Sequence, residues 1–467
     1  MFRKARQLHF VGVGGSGMSG IAEVLVNMGY VVTGSDLAAN AATDRLSGLG
    51  ARIDLGHRPD QVHGADAVVI SSAVREDNPE VVEARRRKIP VIPRAEMLAE
   101  LMRLKYGVAV AGAHGKTTTT AMIAEVLTRG GLDPTVVIGG RVGSLKSGAK
   151  LGRGEIMVAE ADESDGSFLK MKPTIAVVTN IDREHLDYYA DLDDIREAFG
   201  QFLARVPFYG AAVVCVDEPN VRAILPGIDR KVITYGLDSD ADLRATDLAV
   251  QGFESSFVVR AKGARLGEVR LQLPGRHLVY NSLAAVGVGL ELDVPFAVVA
   301  RALGDFRGVD RRMQLRGTFL DCPVLDDYGH HPTEIVATLA AVREGLGRRI
   351  VVVFQPHRFS RTRALLEEFG AAFSDAAAVI ITDIYAAGES AVDGLDGSTV
   401  AAALRRHGHP SVAYEPALRA IPRRLRGMLR AGDVLLTLGA GDVWKVGEEL
   451  LRSAVGDGDG QRPRRSA

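Results

Sequence analysis

The segment Gly112-Ala113-His114-Gly115-Lys116-Thr117-Thr118 has the residue types of a phosphate-binding loop. It lies between the apolar run Gly107–Ala111 and a helix-period stretch, Thr119–Arg129. Such a loop offers backbone N–H groups to phosphate oxygens, a lysine to the β- and γ-phosphates, and a threonine hydroxyl to Mg²⁺. It departs from the usual P-loop pattern at Val110, where that pattern has glycine. We interpret the segment as an ATP site.

A second glycine-rich turn, Gly12-Val13-Gly14-Gly15-Ser16-Gly17, lies between the apolar run Leu8–Val13 and a helix predicted to begin near Met18. This arrangement favours a diphosphate at a helix N-terminus, and Asp36 could accept hydrogen bonds from ribose hydroxyls. The pattern does not say which nucleotide binds, so an NAD-dependent dehydrogenase stays open. One nucleotide would not fill both turns.

Two acidic runs follow predicted strands near the phosphate loop. Glu160–Asp165 follows Ile156–Ala159, and Asn180–Asp187 follows Ile175–Thr179. Carboxylates at the carboxyl ends of parallel strands are placed to hold Mg²⁺ against ATP oxygens.

Arginine and histidine residues gather in the last third of the chain. They lie in Arg311-Arg312, in Asp326–Pro332 and in Gln355–Thr362. Guanidinium groups at strand ends suit a carboxylate or phosphate ligand, because they can pair with it through two hydrogen bonds.

The elements that must position these groups alternate between short apolar runs and helix-period stretches, which predicts an α/β fold with mostly parallel sheets. Nine runs are predicted strands: Leu8–Val13, Val31–Gly34, Ala67–Ser71, Gly107–Ala111, Ile156–Ala159, Ile175–Thr179, Arg349–Phe354, Ala378–Thr382 and Val434–Leu438. Ala241–Leu273 alternates like antiparallel strands at the edge of a sheet.

The chain has 467 residues, too many for one ordinary domain. We predict domains at residues 1–105, 106–310 and 311–455, and a disordered tail at 456–467.

Composition excludes several classes of function. The net charge is only −1, with 46% hydrophobic and 25% charged residues. The chain therefore lacks the excess of positive charge that favours binding to nucleic acid or an anionic membrane. No apolar run approaches the roughly 18 residues that span a bilayer, and we expect a soluble, cytoplasmic protein. Cys215 and Cys322 lack metal or redox spacing and are predicted to be buried hydrophobic residues.

Taken together and in order, these segments resemble the Mur ligases of peptidoglycan synthesis. The matching segments are Gly12–Gly20, Ser71–Ala73, Gly112–Thr119, Glu160–Phe168, Thr179–Asp187, Leu273–Ala285, Asp327–Glu334, Phe354–Thr362, Tyr385–Glu389 and Gly439–Val443. The resemblance implies a Rossmann-like N-terminal domain for a UDP-sugar, a central P-loop-type ATPase domain and a Rossmann-like C-terminal domain that takes an amino acid. Within the family, the alanine-adding branch fits best. It would join L-alanine to the lactyl carboxylate of UDP-N-acetylmuramate through an acyl phosphate, with ATP and Mg²⁺.

The resemblance also implies roles for individual residues. ATP contacts would come from Gly112, Ala113, His114, Gly115, Lys116, Thr117, Thr118, Asn281, Arg312 and Asp327. The UDP-sugar would meet Gly14, Gly15, Ser16, Gly17, Asp36 and Ser71, and L-alanine would meet Tyr328, His330, His357, Arg358 and Arg361. The metal ligands would be Thr117, Glu160 and His185, and the catalytic residues Lys116, Glu160, His185 and His330, the last as a candidate base.

Two departures from the family pattern stand out. Leu278 replaces an asparagine common in the family, although Asn281 is retained, and no lysine lies near Phe199-Gly200, where several later-acting relatives carry a carbamylated lysine. The second departure agrees with the alanine-adding branch.

Three alternatives remain open at this stage. The nearest is a ligase that returns a whole peptide to the same UDP-sugar, whose signature reads R-S-N-T where this chain has His357–Thr362. The others are the NAD-dependent dehydrogenase and a nucleotide-binding regulator without chemistry. We expect a monomer or weak homodimer, while the choice among alanine, glycine and serine is not determined.

Overall fold

The computed structural model describes residues 6–71, 73–139 and 148–458. Across these residues the strands form three sheets flanked by helices, which confirms the predicted α/β class. Two compact units are present: Met1–Leu248 with Phe257–Arg270 and Val279–Val309, and Ala249–Ser256 with Leu271–Leu278 and Asp310–Ala467. None of the described helices is both long and apolar enough to cross a membrane.

The first sheet has five parallel strands in the order β3-β2-β1-β4-β5. The strands are β1 Gln7–Val11, β2 Val31–Asp36, β3 Arg52–Leu55, β4 Ala67–Ile70 and β5 Val91–Pro93, and the helices are α1 Ser16–Asn27, α2 Ala41–Gly48, α3 Pro79–Arg86 and α4 Arg94–Met102. The strand order reverses beside β1, so the glycine turn after β1 lies at the position where such sheets bind ligands.

The second sheet has ten strands in the order β15-β14-β13-β12-β11-β10-β6-β9-β7-β8. The strands are β6 Tyr106–Ala111, β7 Thr135–Val137, β8 Ala149–Lys150, β9 Ile156–Glu160, β10 Ile175–Val178, β11 Ala211–Cys215, β12 Val232–Gly236, β13 Leu243–Gln251, β14 Glu254–Ala261 and β15 Ala264–Leu271. The helices are α5 Lys116–Arg129, α6 Leu192–Ala204, α7 Pro219–Ile224, α8 Arg276–Glu291 and α9 Phe296–Asp305.

Strand order explains why the acidic runs meet the phosphate loop. Strand β6 lies between β9 and β10 and is parallel to both. The segments that follow β9 and β10 therefore emerge on either side of the loop that follows β6. The predicted edge strands of Ala241–Leu273 are also confirmed, as β13, β14 and β15 end the sheet on one side.

The third sheet has six strands in the order β16-β17-β21-β18-β19-β20. The strands are β16 Gln314–Phe319, β17 Cys322–Asp327, β18 Ile350–Phe354, β19 Ala378–Ile381, β20 Val412–Tyr414 and β21 Val434–Leu438. The helices are α10 Pro332–Leu346, α11 Phe359–Ala364, α12 Leu366–Ala371, α13 Gly397–Arg406, α14 Ile421–Met428 and α15 Trp444–Gly458. Strands β17 and β18 both pair with β21 in parallel, so the segments that follow them emerge side by side.

The nine runs predicted as strands are all strands, with ends that shift by at most two residues. Strands β11, β18 and β21 are buried along their whole length, which is typical of parallel sheets covered by helices on both faces. Cys215 and Cys322 are free thiols and buried, as predicted. Helix α15 runs three residues into the segment predicted as a tail, and residues 459–467 lie outside the described residues.

A buried polar cluster that the sequence did not indicate ties the first sheet to α3. The Glu80 carboxylate is fully buried and bonds His9 Nε2 at 2.5 Å and His57 Nδ1 at 2.6 Å. It also accepts from Ser35 Oγ at 2.8 Å. The backbone oxygen of Ser35 in turn accepts from the N–H groups of Gly12 and Val13, so the cluster supports the first glycine turn.

Candidate active site

The first glycine turn is held from β2. Gly12 adopts a φ of +76°, and its N–H donates to the Ser35 carbonyl at 2.8 Å. The Gly14 N–H donates to Asp36 Oδ2 at 2.8 Å. Asp36, predicted to contact a ribose, thus fastens the turn itself in this structure. Ser71 Oγ lies 3.8 Å from the point where a Cβ would stand on Gly12, so the structure brings this predicted UDP-sugar residue to the turn.

The phosphate loop after β6 is fastened to the end of β10. The N–H of His114 donates to Asn180 Oδ1 at 2.8 Å, and Thr179 Oγ1 donates to the His114 carbonyl at 2.6 Å. The His114 ring meets Asp182 Oδ2 at 3.0 Å. These bonds turn the loop back toward the start of α5, where backbone N–H groups and a positive helix end suit phosphate.

Gly115 caps α5 in the left-handed conformation, with φ at +81°. A Cβ on Gly115 would lie 2.7 Å from Asn281 Oδ1, so the buried Asn281 packs directly against the phosphate loop. Asn281 is a predicted ATP contact, and the structure places it beside the loop. Thr117 is the second residue of α5, and Thr118 is buried one position further.

Lys116 forms the central ion pair of the loop. Its Nζ donates to Glu163 Oε1 at 2.8 Å and to the Gly112 carbonyl at 2.6 Å. Burial works against the charged ammonium, but the carboxylates of Glu163 and Asp162 outweigh it and raise the pKa of Lys116. Burial raises the pKa of Glu163, while Lys116 acts in the opposite direction. The Glu163 carboxylate therefore helps to keep the Lys116 ammonium charged at the place where phosphate would bind.

The donor set nearest Lys116 fits a divalent cation. Glu163, Glu184 and His185 place one ligand atom each within 4.8 Å of one another. Glu163 Oε2 is buried and lacks a hydrogen-bond partner among the described residues, which leaves it available to a cation. Carboxylate oxygens are the ligands that Mg²⁺ prefers, and imidazole can complete such a set.

The predicted metal ligands are only partly brought together by this cluster. His185 belongs to it, but Glu160 Oε1 instead accepts from the Gly139 N–H at 3.0 Å. Glu163 and Glu184 were not singled out from the sequence, although both lie in the acidic runs. The run alone gave no signal for which carboxylate turns inward, because that depends on the loop conformation after each strand.

In the second unit, Asp327 and two arginines surround Tyr328. Asp327 is buried, and its carboxylate accepts from the N–H groups of Met313 and Gly329, each at 2.7 Å. Burial raises the pKa of Asp327 to about 6. The guanidinium carbons of Arg311 and Arg312 lie 5.1 and 4.9 Å from the centre of the Tyr328 ring, within cation–π range.

A row of rings joins the ends of β17 and β18. The His330 ring lies 5.5 Å from Tyr328 and 5.7 Å from His357, and His357 stacks on Tyr385 at 5.5 Å. Arg361 Nη1 lies 3.2 Å from His357 Nδ1. The structure thus brings together the residues predicted to contact L-alanine. Tyr385 was part of a matching segment but not of the predicted site.

Arg358 occupies a strained backbone position beside this row. Its φ is +69°, and its N–H donates to the Tyr385 carbonyl at 2.8 Å. The Arg358 guanidinium lies 3.9 Å from the Glu389 carboxylate. A non-glycine residue held in this conformation marks a segment whose shape is fixed by its surroundings.

Two oxygen acceptors lie close to Nδ1 of the His330 ring. Its Nδ1 lies 3.1 Å from the Tyr328 carbonyl and 3.3 Å from Glu334 Oε2. Both neighbours are acceptors, so a neutral His330 ring that donates from Nδ1 has its lone pair on Nε2. In this tautomer the ring can take a proton at Nε2.

Comparison with known families accounts for nearly the whole chain. Three family models match: "Mur ligase family, catalytic domain" at residues 7–106, "Mur ligase middle domain" at 110–289, and "Mur ligase, glutamate ligase domain" at 311–441. The chain belongs to the Mur ligase family. Membership argues against the dehydrogenase alternative, whose cofactor would use only the first glycine turn.

Individual relatives narrow the position of this Mur ligase within the family. It is 56% identical over 457 residues to a UDP-N-acetylmuramate--L-alanine ligase of Geotalea uraniireducens, covering 98% of this chain and all of the relative. The crystal structure of a UDP-N-acetylmuramate-alanine ligase from Thermotoga maritima superposes with a TM-score of 0.82 at 30% identity, covering 97% of this chain and 99% of that one. A murein peptide ligase from Psychrobacter arcticus, at 24% identity and a TM-score of 0.71 over 96% and 98% of the two chains, shares the fold.

Proposed function

We propose that this Mur ligase joins L-alanine to the lactyl carboxylate of UDP-N-acetylmuramate, with ATP converted to ADP and phosphate, in peptidoglycan synthesis. The observation that carries the proposal is the 56% identity, over nearly the full length of both chains, to a relative of that name. The phosphate loop with Lys116 supports binding of ATP, and the row of rings beside Arg358 and Arg361 supports binding of an amino acid.

In the first step, a lactyl carboxylate oxygen attacks the γ-phosphorus of ATP and the bond to ADP breaks. Lys116 Nζ, now paired with Glu163 at 2.8 Å, neutralises the charge that develops on the transferred phosphoryl group. The product is an acyl phosphate. We assign contacts with ATP to Asn281 and the phosphate loop in the first unit, and to Arg312 and Asp327 in the second.

Mg²⁺ fits the donors that the first unit offers. Glu163, Glu184 and His185 would hold it, with Thr117 and Glu160 as further candidate ligands from the sequence. When bound, it would supply positive charge to the phosphate oxygens. The unpartnered Glu163 Oε2 is the observation that supports this fit.

In the second step, the neutral amine of L-alanine attacks the acyl carbon. Phosphate leaves as the tetrahedral intermediate collapses, and the amine proton passes to a base. We assign that role to His330, because hydrogen bonding from Nδ1 to the Tyr328 carbonyl leaves the lone pair on Nε2. Arg358 and Arg361 would hold the alanine carboxylate through paired hydrogen bonds.

A phosphate-release assay tests the proposal. UDP-N-acetylmuramate and ATP would be combined with each of L-alanine, glycine, L-serine and an L-alanyl tripeptide. We expect phosphate release with L-alanine to exceed release with the tripeptide. Release only with the tripeptide would assign the chain to the peptide-returning activity, and no release with any combination would favour a regulator without chemistry.

We also propose that the enzyme works in the cytoplasm as a monomer or weak homodimer. Its cosubstrate ATP is available there, and the described residues include no helix able to cross a membrane. Sedimentation of the full chain over a range of concentrations would measure the oligomeric state, and a stable larger assembly would contradict the proposal.

A further inference from the structure

Arg94, the first residue of α4, lies between the two glycine-rich loops of the first unit. Its Nη2 donates to Asp162 Oδ2 at 3.1 Å, across 68 residues of sequence. Asp162 belongs to the acidic run after β9 and immediately precedes Glu163, the partner of Lys116. The Arg94 guanidinium is thus bonded to the loop that lines the ATP site.

The other side of the same guanidinium lies over the first turn of α1. A Cβ on Gly17 would stand 2.9 Å from Arg94 Nη1 and 3.1 Å from Arg94 Cδ. Any side chain at Gly17 would therefore displace Arg94. Within the described residues, Asp162 is the single hydrogen-bond acceptor of Arg94, so the N–H groups of Nη1 remain available to an anion at this turn.

The first turn of α1 has no acidic residue of its own, and the Asp36 carboxylate is engaged by the Gly14 N–H just before the helix. The N-cap residue, Gly15, offers no side-chain cap. The helix dipole places partial positive charge at this end, and the Arg94 guanidinium adds a full positive charge. A diphosphate would neutralise both, and a guanidinium can hold a phosphate on one edge while it bonds a carboxylate on the other.

We propose that Arg94 bridges the two substrate sites, bonding the diphosphate of the UDP-sugar through Nη1 and Asp162 through Nη2. The inference rests on the proposed function, because it takes the first glycine turn as the UDP-sugar site. Sugar-nucleotide binding fixes the Arg94 side chain, and this restrains the acidic run that carries Glu163. Asp162 is a positioning residue here, since it acts on ATP only through its neighbours.

The bridge predicts positive and reciprocal coupling between the two ligands. When one ligand orders the Arg94 side chain, the entropic cost of ordering the acidic run falls for the second ligand. The factor by which ATP raises the affinity for the UDP-sugar must equal the factor by which the UDP-sugar raises the affinity for ATP. Coupling of this kind can be measured by binding alone, without turnover.

Calorimetric titration of the full chain with UDP-N-acetylmuramate tests the bridge, with and without Mg²⁺ and the non-hydrolysable β,γ-methylene analogue of ATP. In the unaltered chain we expect the analogue to raise the affinity for the UDP-sugar about fivefold or more. Asp162→Asn should keep the affinity for UDP-sugar alone within about twofold but lower the coupling factor below about two.

Two variants of Arg94 separate charge from bridging. Arg94→Ala should weaken UDP-sugar binding about tenfold or more and remove the coupling. Arg94→Lys should retain part of the affinity without the coupling, because one ammonium does not present two edges. Arg103→Ala, which removes an exposed arginine of the same region paired with Glu100 at 2.9 Å, is the matched control and should match the unaltered chain.

The outcomes separate this inference from the proposed function. If the unaltered chain binds both ligands without coupling, or if Asp162→Asn keeps the full coupling factor, the bridge is wrong. It is also wrong if Arg94→Ala binds the UDP-sugar as tightly as the unaltered chain. If the unaltered chain binds neither ligand, the proposed function itself fails.

Discussion

At the scale of single residues, the pair formed by Lys116 and Glu163 keeps the Lys116 ammonium charged in a buried loop. Lys116 is held by one carboxylate and two loop carbonyls, so its ammonium remains charged although it is largely out of water. An incoming phosphate can replace these partners without the cost of removing water from the ammonium at the moment of reaction.

Lys116→Ala should lower phosphate release roughly 10³-fold or more, since it removes the charge that stabilises the transferred phosphoryl group. The measurement is steady-state phosphate release with saturating substrates. Lys170→Ala removes an exposed lysine that pairs with Glu96 at 3.1 Å and should leave the rate unchanged. Near-normal turnover of Lys116→Ala would contradict the role assigned to the loop.

Arg358→Ala should raise the KM for L-alanine about tenfold or more and leave the KM for ATP within about twofold, because a lost charged hydrogen-bond pair weakens carboxylate binding. Initial rates over a matrix of the two concentrations give both constants. Arg363→Ala, an exposed arginine of α11, is the control. Equal increases in both KM values would count against Arg358 as the carboxylate ligand.

At the scale of elements, the two ends of α5 offer a matched pair of glycines. Gly115 at the start and Gly131 after the end have φ values of +81° and +80°, so both substitutions carry the same backbone strain. A Cβ at Gly115 would also meet Asn281 Oδ1 at 2.7 Å, whereas one at Gly131 would meet nothing within 4 Å.

Gly131→Ala should therefore lower the free energy of unfolding by about 1–2 kcal/mol, the cost of a left-handed alanine, with the KM for ATP unchanged. Gly115→Ala should cost more than this and raise the KM for ATP, because Asn281 and the loop must move. Denaturant unfolding and initial-rate kinetics measure the two effects. Identical behaviour of the two variants would show that the contact with Asn281 is unimportant.

The buried cluster around Glu80 ties β1, β2 and α3 together. Glu80→Ala leaves His9, His57 and Ser35 without their shared acceptor, and we expect it to lower the free energy of unfolding by about 3–5 kcal/mol. Glu100→Ala breaks an exposed pair with Arg103 and should cost at most about 1 kcal/mol. Equal losses for the two variants in denaturant unfolding would mean that the cluster adds nothing beyond a surface pair.

At the scale of the whole molecule, stability should depend on pH through His277. Burial lowers the pKa of His277 to about 4, with Arg312 acting in the same direction and Glu334 opposing. The folded state therefore favours the neutral ring. The contribution of His277 to the free energy of unfolding is complete above about pH 6.5 and is lost as the pH falls toward 4.

The difference in unfolding free energy between the unaltered chain and His277→Gln should thus fall by at most about 1.4 kcal/mol per pH unit between pH 6.5 and 4. Asp327, whose pKa is raised to about 6, acts in the opposite direction below pH 6. It is present in both proteins, so its contribution cancels in the difference. A difference that is the same at pH 7 and pH 5 would contradict a neutral His277 ring in the folded state.

The three predicted domain boundaries, at residues 105, 310 and 455, remain predictions. The described chain forms three sheets, but it divides into two compact units, and short pieces around residues 249–256 and 271–278 belong with the later part of the chain. Sequence patterning locates elements well because each strand or helix reflects local periodicity. It does not show which neighbouring element a connecting segment packs against.

The sequence by itself determined the α/β class, the strands, and the loops that carry Lys116 and the rings of His330 and His357. These features depend on local patterns of apolar residues, glycines and charges, which act over a few positions. Only the tertiary structure decided that Glu163 rather than Glu160 pairs with Lys116, that Glu80 gathers two histidines, and that Arg94 reaches Asp162. Those contacts depend on strand order and loop conformation, because they join residues that are 23 to 71 positions apart in the chain.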